Sequence, residues 1–74
     1  MRGIDTAATG RNIKRLRQEG GLTINDLQEA LGFATPQSIY RWQKGDTVPS
    51  VDNLVILSDI FDVAMDDIVV RRKI

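Results

Sequence analysis

The chain has 74 residues, its ten basic and ten acidic side chains cancel, and it contains neither cysteine nor histidine. Disulfides and the usual thiolate or imidazole metal sites are therefore excluded, and packing alone must stabilise a chain near the lower size limit for an unstapled fold. No apolar run is long enough to span a bilayer and the opening MRGIDTAATG lacks a signal-peptide core, so a single cytoplasmic domain over 1–74 is expected, with 1–4 and 71–74 loose.

A first helix is expected from Asp5 or Thr6, either of which can cap, to Glu19, with Ile13 and Leu16 inward and Gly20 and Gly21 as its stop. Arg17, one turn after Ile13, borders the buried face. Thr23 then caps a second helix in which Ile24, Leu27 and Leu31 recur at helical spacing, and Gly32 ends it. After a short turn through Phe33 and Ala34, Thr35 as N-cap and Pro36 as first helical residue open a third helix, which Gly45 closes. Two helices a few residues apart form a helix-turn-helix pattern.

The third helix divides its residues. At about 100° per residue, Ile39 and Trp42 fall on one side and Gln37, Tyr40, Arg41 and Lys44 on the other. An amide, a planar fork of donors and a point charge together suit base edges and phosphates.

Ser50 can cap a fourth helix, where Val51, Leu54, Leu57, Ser58 and Phe61 keep helical spacing for a buried side and Asp52 and Asn53 suit the positive end of its dipole. Asp62 and Val63 read as a break before a short fifth helix from about Met65 to Val70, bringing Ile68 and Val69 to the core. Ala64 is a poor cap there, a defect of about 1 kcal/mol. No segment alternates with period two, and Pro36 and Pro49 both fall at element edges. The fold class is all-α: a compact bundle of five helices around one core. Charge is uneven along it, with Arg11, Lys14, Arg15 and Arg17 free of intervening acids and Asp52, Asp59, Asp62, Asp66 and Asp67 crowding the last third.

The order Gly10, Ile13, Leu16, Arg17, Gly21, Leu22, Thr23, Leu27, Leu31, Gly32, Ile39, Trp42, Gly45, Pro49, Leu54, Leu57 resembles the Cro and phage-repressor (Xre-like) helix-turn-helix family from about Thr6 to Val70. The stretch GFATPQSIYRWQKGDTVPSVDNLVILS is similar to small regulators of Firmicutes and their mobile elements. The resemblance implies a lambda-repressor-like DNA-binding domain and a transcriptional regulator, with the third helix in the major groove of double-stranded DNA. Carried onto this chain, it places Thr35, Pro36, Gln37 and Ser38 at the leading end of the recognition helix and Arg41 one turn deeper. Gln37 and Arg41 are the candidate base contacts; Ser38, Tyr40 and Lys44 are suited to phosphates, and Thr23 and Thr35 to capping first and the DNA backbone second.

Three departures from the family stand out. Gln43 occupies the usual glutamate position, which turns an ion pair with Arg17 into a hydrogen bond. Ile24 replaces a glutamine that reaches a phosphate. The turn counted from Gly32 to Ile39 is one residue longer than in the phage repressors, which leaves the register of Thr35 and Pro36 open.

The leading functional expectation is a sequence-specific DNA-binding regulator, either repressor or activator, forming a homodimer through the C-terminal helix with Val63, Met65, Val69 and Val70 as candidates. The alternative is a protein-interaction module of the same fold that has lost DNA binding, motivated by zero net charge, Ile24 and the many aspartates. An enzyme is not expected, because Ser38 and Ser58 have no base to activate them and Asp66 and Asp67 are splayed by a helix. No cofactor, membrane or small-molecule substrate is implied.

Overall fold

Asp5 opens the bundle. In the computed structural model, which describes residues 3–72, its carboxylate accepts the Ala8 N–H at 2.9 Å, and α1 follows over Thr6–Glu19. The turn at Gly20 and Gly21 leads to α2, Ile24–Leu31, and a second turn to α3, Gln37–Lys44. The Ser50 hydroxyl then accepts the Asn53 N–H at 3.3 Å, starting α4, Val51–Phe61. Asp62 closes α4 in the left-handed conformation at φ 56°, and α5 is a single turn, Met65–Ile68. Each helix sends one fully buried aliphatic side chain to a shared centre: Ile13, Leu27, Ile39, Leu57 and Ile68 are all 0% exposed. Burial of this kind is the main favourable term in folding, and these five positions fix the helices against one another.

The poor cap at Ala64 is offset from the other side. The Asp67 carboxylate accepts the Ala64 N–H at 3.3 Å, half of a capping box. Asn12 closes the far end by donating from Nδ2 to the carbonyls of Asp67 (2.7 Å) and Ile68 (3.0 Å).

Three expectations need correction. The fifth helix stops at Ile68 rather than Val70, because Val69 turns extended and the Val70 N–H donates to the Thr9 hydroxyl at 2.9 Å instead of continuing the helix. Thr9 is only 1% exposed, so this bond also satisfies a buried polar group. Second, the ends are not loose where they are described. Asp5 N–H donates to the Val70 carbonyl and Arg72 N–H to the Gly3 carbonyl, both at 2.8 Å, around an antiparallel bridge between Ile4 and Arg71. Residues 1–2 and 73–74 lie outside the described region. Third, Val51 is 69% exposed although its spacing suggests the core, since the buried stripe of α4 runs through Leu54 and Leu57 and the first residue of the helix projects past it. No described helix is long and apolar enough to cross a membrane.

Candidate nucleic-acid interface

Thr23 has a partner of its own. Its hydroxyl accepts the Asp26 N–H at 3.0 Å while the Asp26 carboxylate accepts the Thr23 N–H at 2.8 Å, a complete reciprocal box at the start of α2. The backbone N–H of Thr23, and then its side chain, hold the Asp26 carboxyl below the ordinary value of 3.8. Capping is thus the role the structure gives Thr23, which remains exposed at the surface.

The turn after α2 fixes α3 from beneath. Gly32 ends α2 in the left-handed conformation, and Phe33 sets its ring edge-on to Trp42, with centroids 5.7 Å apart and planes at 64°. Residues 34–36 bend, and the first helical hydrogen bond runs from Tyr40 N–H to the Pro36 carbonyl at 3.2 Å. Here the expected start is corrected: Pro36 is the N-cap and Gln37 the first helical residue, and no side chain caps α3. A cap must immediately precede the helix. The longer turn puts proline in that place and leaves Thr35 one residue too early.

The third helix presents three sides. Ile39 at 0% and Trp42 at 4% exposure anchor it in the core. Gln43 is half-buried and its side-chain oxygen accepts from Arg17 Nε at 3.1 Å, the expected replacement for an ion pair; Arg17 also donates to the Leu22 carbonyl at 2.9 Å. The outer side carries Gln37, Ser38, Tyr40, Arg41 and Lys44, all exposed, with Thr35 exposed and Pro36 half-buried just before them. The described structure therefore brings seven of the candidate residues together on one turn and helix, while Thr23 stands at the start of the neighbouring helix.

One feature was not legible in the pattern. The Lys44 ammonium lies 3.5 Å from the Asp46 carboxylate, where Asp46 read only as part of a connection; both side chains are well exposed, so the pair is weak. Ile24, which cannot donate to a phosphate, is half-buried and packs against the core, as its helical spacing with Leu27 and Leu31 leads one to expect.

Comparison with known proteins decides the family, since the helix-turn-helix family profile matches residues 13–68, spanning the α2–turn–α3 unit and its supports. The chain belongs to the helix-turn-helix family. Over 53 residues it is 36% identical to an HTH-type transcriptional regulatory protein of Pyrococcus horikoshii, and 34% identical to one of Pyrococcus furiosus. Each alignment covers 72% of this chain but 16% of the relative, so the chain spans about a sixth of the length of these curated relatives. They are archaeal, and the narrower likeness to regulators of Firmicutes and mobile elements is not confirmed by them. Among solved structures, the restriction-modification controller protein C.AhdI from Aeromonas hydrophila superposes with a TM-score of 0.76 at 20% identity, covering 86% of this chain and 96% of that one. A transcriptional regulator from Listeria innocua gives 0.74 at 26% identity, covering 82% and 56%.

Proposed function

We propose that the chain is a sequence-specific DNA-binding transcriptional regulator whose third helix enters the major groove. The observation that carries this is the division of α3: Ile39 and Trp42 are anchored in the core while Gln37 and Arg41 stand exposed on the opposite side. Arginine matches the O6 and N7 of guanine and glutamine the edge of adenine, each good bidentate pair giving about 1–3 kcal/mol of discrimination. Ser38, Tyr40 and Lys44 flank these two and meet phosphates, Thr35 and Pro36 stand at the leading end of the helix, and the start of α2 at Thr23 offers its amides to the DNA backbone. Two copies, joined through the C-terminal helix where Met65 is 41% exposed, would read half-sites about one helical turn apart.

The test is selection of duplexes from a random pool by the full chain, followed by binding of the selected site. Arg41→Ala is expected to relax the preference at one base position and leave the others intact. An unchanged preference would show the assignment of Arg41 to be wrong. Affinity should also fall with salt at a log–log slope of about −0.9 for each phosphate neutralised; association that ignores salt would favour the protein-interaction module instead.

A further inference from the structure

We propose that a close backbone seam between α1 and α3, at Gly10 and Gly45, determines sequence specificity by fixing how far the recognition helix stands out from the body. The inference rests on the DNA-binding reading. The two helices pass in opposite senses: Ala7 meets Gly45, and three residues on, Gly10 meets Trp42 and Gln43. A Cβ at position 10 would lie 2.1 Å from the Trp42 carbonyl oxygen and 2.9 Å from that of Gln43; one at position 45 would lie 2.8 Å from the Ala7 Cα. All of these neighbours are backbone, so no flexible side chain can swing away.

The glycines separate two needs that usually coincide. Gly32 and Gly45 both close helices with positive φ, 71° and 84°, where a side chain is disfavoured. Around Gly32, however, the space is open to 4 Å, so conformation alone requires it. Gly45 must satisfy both conformation and room, and Gly10, inside a helix, only room.

The displacement at stake is large on the scale of base recognition. Ordinary contact with a Cβ begins at 3.4 Å, so a side chain at position 10 forces the helices apart by more than the roughly 0.5 Å within which a binding constellation must be held. Arg17 lies two turns along the same face of α1, and its 3.1 Å bond to Gln43 has no slack for such a shift. Phosphate contacts through flexible stems survive it, whereas planar bidentate base contacts do not. Specificity should therefore suffer before general affinity does.

The experiment compares wild type, Gly10→Ala, Gly45→Asn and Gly32→Asn in the full chain. Asparagine tolerates the left-handed conformation, so the last two differ chiefly in room. Affinity is measured for the duplex selected by wild type and for a shuffled duplex of the same composition, at a temperature where melting curves confirm folding. Gly10→Ala and Gly45→Asn are expected to lower the ratio of the two affinities by about tenfold or more, the discrimination of one bidentate contact. Binding of the shuffled duplex should change by less than about threefold, being set by phosphates. Gly32→Asn should keep the wild-type ratio. If Gly10→Ala does not fold, Gly45→Asn against Gly32→Asn carries the test. A wild-type ratio in Gly45→Asn, or an equal loss in Gly32→Asn, overturns the proposal and leaves these glycines as helix stops. If wild type itself selects no sequence, the DNA-binding reading fails first and the seam has no specificity to set.

Discussion

Ile24–Leu31 and Gln37–Lys44 are both eight residues long, yet the first turn of α2 is secured by chemistry within four residues whereas that of α3 is secured from outside. The reciprocal bonds between Thr23 and Asp26 satisfy the first amides of α2 without help from any other helix. At the start of α3 no side chain does so, and its hold comes from Ile39 and Trp42 in the core, from Phe33 beneath it, and from Arg17 and Gly10 on α1. A helix held this way keeps its outward side chains clear of structural duty. The difference lies at the two starts: α2 caps itself, while α3 is uncapped, relies on its neighbours and carries the exposed stripe of Gln37, Tyr40, Arg41 and Lys44.

The largest effect expected from this contrast is at Trp42. Removing a buried tryptophan side chain costs about 3–5 kcal/mol, and its edge contact with Phe33 accounts for about 0.5–1.5 kcal/mol of such a loss. Small domains have only about 5–15 kcal/mol of stability, so Trp42→Ala should leave much of the chain unfolded at low urea. Thr23→Ala removes one local bond and should cost about 1 kcal/mol. Urea midpoints compare the two directly, and a Thr23→Ala loss as large as that of Trp42→Ala would reverse the contrast.

Smaller still, and opposite in sign, is the gain from Gln43→Glu. The Arg17 guanidinium already makes this a hydrogen bond to a charged group, and a carboxylate at position 43 turns it into an ion pair, the difference being the added Coulomb attraction. Part of that difference is lost to desolvating a half-buried carboxylate, so a gain of about 0.5–1 kcal/mol is expected. For a domain of this size that is a melting temperature higher by a few degrees. No rise would mean that the Arg17 bond at 3.1 Å does not limit how firmly α3 is held.

Legibility in the chain divides in the same way, between local and distant causes. Asp5, Thr23 and Ser50 announce three helix starts because a cap acts on amides only a few residues away, and all three bonds are present. Periodicity likewise places Gln37 and Arg41 outward and Ile39 and Trp42 inward, as they stand in the fold. Thr35 before Pro36 looks like the same local signal, but the turn beneath Trp42 displaces the start of α3 by a residue. Thr9 was illegible for a stronger reason: a threonine on a helix looks ready for solvent, and its partner is the amide of Val70, 61 residues away. Asn12, which reaches the end of α5 across a similar span, hides in the same way.

The finest test of the contrast is acid. Asp26 has its folded pKa lowered below 3.8, chiefly by the Thr23 N–H, so the unfolded chain binds this proton at a higher pH than the folded one does. Its stabilising contribution is therefore complete above the ordinary carboxylate value and disappears as the pH falls through the folded value. In Asp26→Asn the side-chain oxygen can still accept the Thr23 N–H, and only the charge is missing. The variant should melt slightly below wild type at about pH 7 and merge with it in acid, as protonation removes the same charge from wild type. Because the carboxylate is fully exposed, added salt should shrink the gap even at neutral pH. A gap that persists in acid would place the contribution in hydrogen-bond geometry rather than charge. Amide-exchange protection then locates the loss: it should weaken at the start of α2, where the box sits, and not at the start of α3, which has no carboxylate to protonate.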